Sequence, residues 1–277
     1  MSRREKTWWW IAAVVILLYC LFPIAWILSL SFKAPSDIAN ASFLPTTFSG
    51  VNYKEIFTGS ASDLFLPALR NSFGICLIAT ALSCLLSMFA AYAIARLDFP
   101  GKKLVLTSAL AVSIFPVISI VTPLFNLWRT IGLYDTWLGL IIPYLSLTLP
   151  ISIWTMSAFF REIPWEMEQA AQVDGATTWQ AFRKVIVPLA APGVFTTAII
   201  AFFLAWNDFV YGISLTSTGA ARPVPAALGL FSGASQFEDP TGAIAAAAVI
   251  VTIPVIILVL IFQRRIVAGL TNGAVKG

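Results

Sequence analysis

The sequence contains no histidine, and this absence narrows the chemistry that the chain can perform. Histidine is the commonest zinc ligand and the usual general base near neutral pH, so zinc hydrolysis and serine–histidine catalysis are excluded. The three cysteines, Cys20, Cys76 and Cys84, all lie in apolar stretches and form no CxxC pair. We interpret them as small packing residues rather than as a disulfide framework or a metal site.

Charge is also scarce, since 11% of the residues are Asp, Glu, Lys or Arg, against about 25% in soluble domains. Six uncharged runs occur, and even the shorter ones, such as 185–207, have 23 residues. About 20 residues of helix cross a hydrocarbon core about 30 Å thick, and continuous apolar runs lack the alternation of a membrane β-barrel. The sequence therefore predicts an all-α, polytopic membrane protein with six transmembrane helices, at about 8–32, 71–95, 104–128, 136–160, 187–212 and 242–263.

These spans predict a single membrane domain over residues 1–277, without room for a separate soluble catalytic domain. The phosphate-cradling pattern GxxxxGK[ST] does not occur, so any ATP chemistry must come from a partner. The first apolar run is too long for a cleavable signal peptide and is interpreted as a retained span. The pI near 9.1 does not indicate nucleic-acid binding, because the basic residues are dispersed among the loops.

The distribution of basic residues predicts the orientation in the membrane. Twelve of the 17 lysines and arginines lie in the N-terminal tail, the second-to-third loop, the fourth-to-fifth segment and the C-terminal tail. With six spans these four segments share one side, and cytoplasmic loops carry the excess of basic residues. Both termini are therefore predicted to be cytoplasmic.

The polar segment 161–184, between the fourth and fifth spans, has the signals of two short helices. Pro164 suits a first helical position, and Gly175 suits the left-handed position that follows a helix end. Thr177 and Gln180 match a capping box, and Pro188 limits the second helix. The segment is predicted to project a compact helix–glycine turn–helix knob that suits docking to a partner. An ordinary amphipathic connection is the alternative that the residues alone leave open.

The same segment resembles the EAA motif of ABC importer permeases, in which Glu-Ala-Ala, Gly and Ile-x-Leu-Pro follow at fixed spacing. Here Gln169-Ala170-Ala171, Gly175 and Pro188 occupy those positions. The departures are Gln169 for the usual Glu, with Glu168 one place earlier, and valines in place of Ile and Leu. The resemblance implies a coupling helix whose ATPase-coupling residues are Glu166, Glu168, Gln169, Ala170, Ala171, Asp174, Gly175, Ala176 and Pro188.

Three further runs are similar to the maltose-type branch of carbohydrate importers: Asp174–Thr177, Trp206–Phe209 and the tail from Gln263 to Gly277. This resemblance implies one of two unlike permease subunits in a bacterial inner membrane, with two copies of an ATP-binding subunit and an external sugar-binding protein. ATP and magnesium would be bound by those partners, and no cofactor by this chain. Gly273 and Lys276 in the tail would contact the ATPase pair; a disordered tail is the alternative.

Asp208 directly follows the fifth uncharged run and is the most informative charge near the membrane. An acid at that depth usually faces a cavity or pathway, since exposure to lipid is costly. Together with Trp206 and Asn207 it offers the polar and aromatic groups that suit a sugar, so these three are predicted pathway residues. The alternative is that Asp208 lies at the external interface and caps a helix, and both interpretations stay open.

The leading hypothesis is therefore the permease subunit of an ATP-driven sugar importer, with a disaccharide of the maltose or trehalose type as the expected substrate. An ion-driven secondary carrier is the alternative, although such carriers usually have several buried ionisable groups and often ten or more spans. An intramembrane enzyme is the third, and the chain shows no nucleophile or metal constellation for it.

Overall fold

The computed structural model describes residues 3–40, 42–231 and 240–274, with side chains for 4–40, 42–231 and 240–262. In these ranges extended pairing is limited to an isolated antiparallel bridge between Lys33 and Phe48. The α-helices are, in chain order, α1 (Arg3–Ser31), α2 (Val51–Thr58), α3 (Ser62–Arg96), α4 (Lys102–Ser113), α5 (Val117–Ile131), α6 (Trp137–Glu162), α7 (Trp165–Val173), α8 (Thr178–Ala181), α9 (Val187–Leu189), α10 (Ala191–Trp206), α11 (Val210–Leu215), α12 (Val224–Leu228) and α13 (Thr241–Ala274). The prediction of an all-α membrane protein is confirmed.

Among the residues that the structure describes, four helical stretches are each long and apolar enough to cross a membrane: Arg4–Ser31, Ser62–Arg96, Trp137–Glu162 and Thr241–Phe262. Two bent helix pairs raise the number to six if each pair is one span. The bent pairs fall where the sequence predicts the third and fifth spans. The six-span prediction is therefore met only when each of these two spans is allowed to be broken.

The third predicted span, 104–128, is divided rather than continuous. Helices α4 and α5 meet at an angle of 88°, and Pro116 takes the N-cap position of α5 with an extended backbone. Proline has no N–H to donate and disfavours helical geometry in the residue before it, so α4 ends just ahead of it. Pro123, Pro143 and Pro150 instead lie inside continuing helices.

The fifth predicted span, 187–212, is interrupted twice. The helical stretch Thr178–Leu189 meets α10 at 71°, and α10 ends at Trp206 before α11 begins at Val210. Between α8 and α9, residues Phe182–Ile186 form a π-helical turn. Such turns are rare and are frequently found at functional sites. The uncharged run thus contains breaks that hydropathy does not reveal.

The chain forms two compact units, Met1–Pro67 with Ala227–Pro254, and Ala68–Ala226 with Val255–Gly277. In the first unit, the connection after α1 folds around Lys33, which is fully buried. Its ammonium donates hydrogen bonds to the carbonyl oxygens of Asn40 (2.7 Å) and Ser42 (2.8 Å). Asn52 of α2 donates to the carbonyl oxygen of Lys33 over 2.8 Å. A buried cation requires such partners, so this connection is ordered by its polar groups.

The second unit packs α3, α6 and α10 through small residues. The hydroxyls of Ser83 and Ser152 lie 3.1 Å apart and join α3 to α6. Gly193 faces the ring of Phe159 so closely that a Cβ atom there would lie 2.5 Å from it, so glycine is required where α10 crosses α6. Helices that approach this closely need small side chains at the contact. This unit holds every predicted coupling and pathway residue.

Candidate coupling site and predicted pathway residues

The coupling segment begins with α7. Pro164, which the sequence predicts at the first helical position, is instead the N-cap residue. Glu166 and Glu168 lie in the first turn, where the helix dipole favours negative charge. The helix ends at Asp174, and Gly175 follows with φ +90°, the left-handed conformation that glycine adopts without strain. The amide of Ala176 donates to the carbonyl oxygen of Ala171 over 2.9 Å and closes the turn.

The second short helix begins with the predicted capping box. The amide of Gln180 donates to the Thr177 hydroxyl (3.2 Å), and the amide of Thr177 donates to Oε1 of Gln180 (2.9 Å). Both N-terminal amides are thereby satisfied by side chains that the local sequence supplies. The helix–glycine turn–helix shape predicted from the residues is therefore present between α6 and α10.

Eight of the nine predicted coupling residues are exposed or partly exposed: Glu166, Gln169, Ala170, Ala171, Asp174, Gly175, Ala176 and Pro188. Between them α7 also presents large apolar side chains, with Trp165 49%, Met167 44% and Val173 87% exposed. Large apolar side chains exposed on a short polar connection are typical of an interaction surface.

Glu168 differs from the other eight, because it is buried at 4% exposure. The resemblance implies that Glu168 is an ATPase-coupling residue, but in the structure its side chain is not available at the surface of this chain. Position 168 lies on the face of α7 that packs on the C-terminal end of α3, where the hydroxyl of Tyr92 donates a hydrogen bond to Glu168 Oε1. Glu168 is thus a contact within the chain.

The end of α3 holds the start of α7 through a second residue. Arg96 is 6% exposed, donates to the carbonyl oxygen of Ile163, and lies over the indole ring of Trp165 with its guanidinium carbon 4.6 Å from the ring centroid. Ile163 is the C-cap of α6, where a cation is favoured by the helix dipole. The sequence shows Arg96 only as a topology-setting charge, and nothing local in it marks Tyr92.

The three predicted pathway residues have different surroundings. Trp206 is 3% exposed, stacks on Phe202 with ring centroids 5.1 Å apart, and meets Phe73 edge-on at 5.0 Å. Asn207 is exposed and donates to the carbonyl oxygen of Phe203. Within this chain Trp206 is therefore a packing residue, and the side chain of Asn207 is exposed on the surface.

Asp208 is partly buried and caps the helix that follows it. Its carboxylate accepts hydrogen bonds from the amide of Gly212 (3.0 Å), from the amide of Tyr211 (3.4 Å), and from the hydroxyl of Tyr144 (3.1 Å). An aspartate before a helix satisfies amides that have no partner in the helix. The capping interpretation is therefore present in the structure, at the start of α11, and the pathway role stays a prediction.

Asp135, which sequence reasoning missed, lies between α5 and α6 and binds the loop after α11. Its carboxylate accepts four hydrogen bonds, from the amides and hydroxyls of Ser217 and Thr218, at 2.6 to 3.2 Å. Partial burial raises the pKa of Asp135, but these hydrogen bonds outweigh it and hold that pKa below its ordinary value. A lone Asp before an N-capping Thr136 is a weak signal, since the partners lie some 80 residues later.

The predicted tail contact falls at the edge of the described chain. Gly273 lies in the last turn of α13, and only its backbone is described. Lys276 lies outside the described residues. The proposed role of both residues stays a prediction.

Comparison with known proteins places this arrangement among transport proteins. Residues 83–272 match the model of the family described as binding-protein-dependent transport system inner membrane component. The chain is 56% identical over 277 residues to the trehalose transport system permease protein SugB of Mycobacterium tuberculosis, covering 100% of both chains. It is 37% identical over 261 residues to the trehalose/maltose transport system permease protein MalG of Thermococcus litoralis, covering 94% of this chain and 93% of that one.

A solved structure agrees with these relatives in fold. The chain superimposes with a TM-score of 0.79, at 23% identity, on a chain from the crystal structure of a bacterial ABC transporter involved in the import of the acidic polysaccharide alginate. The match covers 95% of this chain and 98% of that one.

Proposed function

The chain belongs to the family of binding-protein-dependent transport system inner membrane components, and we propose that it is the permease subunit of an ATP-driven importer for a disaccharide of the trehalose or maltose type. Membership makes it a transport permease of the inner membrane that works with a substrate-binding protein. The disaccharide is proposed because two relatives, at 56% and 37% identity, carry trehalose or trehalose/maltose in their names.

The source of energy is proposed to be two copies of a separate ATP-binding subunit, since the chain has no phosphate-cradling GxxxxGK[ST] motif. A second, unlike permease subunit would complete the pathway, of which this chain forms half. The coupling segment would then lie on the cytoplasmic side, as the distribution of basic residues predicts for both termini.

The observation that carries the proposal is the exposed face of α7 beside the Gly175 turn. This face combines Trp165, Met167 and Val173 with the small residues Ala170 and Gly175, so it offers apolar area without bulk at its centre. Such a surface fits a cleft in a partner, and the charges at its rim can set the orientation of docking. We propose that this cleft belongs to the ATP-binding subunit.

The proposed mechanism follows from how α7 is attached. Helix α7 is joined to α6 through Ile163 and Pro164, and it leads through the Gly175 turn and the capped helix α8 towards α10. When the ATP-binding subunits close on ATP, a docked α7 would move with them and carry these helices along. The cavity between the two permeases would then open outward, and it would return when ATP is hydrolysed.

The experiment is co-purification of the chain with its ATP-binding subunits in detergent, comparing wild type with Ala170→Glu. A charged, longer side chain at the centre of the docking face should abolish association and transport while leaving the membrane fold intact. The matched control is Ala39→Glu, which makes the same change at an exposed alanine outside the coupling segment. Undiminished association of Ala170→Glu would contradict docking through this face.

A further inference from the structure

The C-terminal end of α3 is attached to α7 by one partly buried residue, Tyr92, and two buried ones, Arg96 and Glu168. The phenol of Tyr92 donates to Oε1 of Glu168, and the two residues are 76 positions apart in the chain. Oε2 of Glu168 is also buried and accepts no hydrogen bond from the described residues. Tyr92 therefore provides the hydrogen bond that this buried carboxylate makes within the described chain.

Arg96, one turn further along α3, makes the attachment two-sided. Its Nη2 donates to the carbonyl oxygen of Ile163, and its guanidinium covers the ring of Trp165. Its Nε is buried and makes no hydrogen bond with the described residues. A planar guanidinium can donate and stack at once, which an ammonium cannot do. Arg96 thus fixes the junction between α6 and α7 from the side of α3.

An apolar cluster continues this contact towards α10. Tyr92 meets Phe182 of the π-helical turn edge-on, with ring centroids 4.7 Å apart, and Phe182 stacks on Trp179 of α8 at 5.5 Å. The cluster also contains the following buried residues of α3, α6 and the segment before α10: Ala91, Met156, Phe160, Ile186 and Ala190. The same end of α3 therefore touches both arms of the coupling segment.

We propose that Tyr92 and Arg96 are positioning residues that make α3 move with α7, so that docking of the ATP-binding subunit acts on three spans rather than on the two that α7 joins along the chain. This inference rests on the proposed function. Groups buried in a low dielectric make strong and directional contacts, and a buried carboxylate that loses its partner is costly. The contact therefore transmits a displacement instead of absorbing it.

The test compares transport with ATP hydrolysis in proteoliposomes that contain the complete importer. Tyr92→Phe removes the phenolic oxygen and leaves the ring packing in place. Sugar transported per ATP hydrolysed should fall about tenfold, the factor that corresponds to loss of one hydrogen bond to a buried charge. Glu168→Gln keeps an amide oxygen that can accept from Tyr92, and it should stay within about twofold of wild type. Tyr134→Phe is the matched control, since it removes the same atom from a tyrosine between α5 and α6, whose ring packs on Phe125.

Three results decide the inference. Reduced transport per ATP in Tyr92→Phe supports it, provided that co-purification of the ATP-binding subunit is unchanged and that the single variant Glu168→Gln transports within about twofold of wild type. Wild-type transport per ATP in Tyr92→Phe overturns it. Loss of subunit association in parallel with transport also overturns it, because the tyrosine would then act on docking and not on transmission.

A second variant covers the case in which the Tyr92→Phe protein reaches only a low level in the membrane. The double change Tyr92→Phe with Glu168→Leu removes both polar partners and leaves an apolar contact, which buried sites often tolerate. The double variant should reach the wild-type protein level in the membrane and still transport about tenfold less sugar per ATP hydrolysed. If the wild-type chain itself fails to retain an ATP-binding subunit, the proposed function fails instead, so the two failures are distinguishable.

Discussion

The hydroxyl of Tyr144 in α6 donates a hydrogen bond to the carboxylate of Asp208 across 3.1 Å, while the same carboxylate accepts from the amides at the start of α11. Tyr144 is fully buried, so this bond joins a span to the short helix that follows the fifth apolar run. The carboxylate of Asp208 therefore caps α11, the helix that follows the break after Trp206, and holds the start of α11 against α6.

Replacement of this acid should destabilise the subunit. Asp208→Ala is expected to lower the free energy of unfolding by about 2 kcal/mol, because it removes a helix cap and leaves a buried tyrosine hydroxyl without its acceptor. Tyr144→Phe should cost less, about 1 kcal/mol, since the two amides keep their acceptor. Thermal unfolding in detergent measures both. Equal stability of wild type and Asp208→Ala would show that the cap contributes nothing.

Trp206 and Asn207 should respond in opposite ways although they are neighbours. Trp206→Ala is expected to destabilise the fold by about 3–5 kcal/mol, since it removes a large ring packed on Phe202 and Phe73. Asn207→Ala should leave stability within about 0.5 kcal/mol and raise the KM of sugar uptake if Asn207 lines the pathway. Unfolding temperature and uptake kinetics separate the two effects. An unchanged KM in Asn207→Ala would remove this residue from the predicted pathway.

The Asp135 contact predicts a dependence of stability on pH. The folded-state pKa lies below the unfolded value of about 3.9, so the charged carboxylate stabilises the folded state above that pH. This stabilisation is lost as the pH falls from about 4 through the folded-state pKa. Asp135→Asn cannot titrate and tolerates the left-handed backbone at φ 58°. Its stability deficit at pH 7 should shrink towards pH 3, and a deficit independent of pH would contradict the assignment.

The effect of a substitution at Gly175 should depend on how readily the new residue adopts a positive φ, and not on the size of its side chain. A Cβ atom at this position would meet nothing within 4 Å, but φ is +90°. Gly175→Val should therefore cost about 1–2 kcal/mol through the backbone alone, and it should weaken co-purification with the ATP-binding subunit. Gly175→Asn adopts positive φ more readily and is the matched control. Equal association of both variants would show that the turn is not needed in this form.

Much of this fold could be predicted because its signals are local. Uncharged runs determine α1, α3, α6 and α13, and the capping box at Thr177 with the glycine at 175 determines the coupling segment within a few residues. The breaks in the third and fifth spans were not predicted. Pro116 divides its helix whereas Pro123 and Pro143 do not, and tertiary surroundings decide which of these outcomes occurs.

The site was predicted less completely, since its buried half depends on long-range pairs. Eight of the predicted coupling residues are exposed or partly exposed, as the proposed docking requires. Glu168 cannot be told from Glu166 in the sequence, but it lies on the opposite face of α7. Its partner Tyr92 lies in a span where a tyrosine gives no functional signal. The structural role of Asp135 likewise depends on hydrogen-bond partners about 80 positions later in the chain. Contacts of this kind follow from packing and not from local pattern.

The most direct test of the account is sugar uptake into proteoliposomes that contain this chain and the proposed second permease. The proteoliposomes are prepared with and without the proposed ATP-binding subunits and assayed with the binding protein and trehalose. Accumulation is expected only with the ATP-binding subunits and ATP, it should be insensitive to an ionophore, and it should be lost in Ala170→Glu. Concentration of trehalose by the permeases alone, or its collapse on addition of an ionophore, would contradict the claim that force enters this chain through α7.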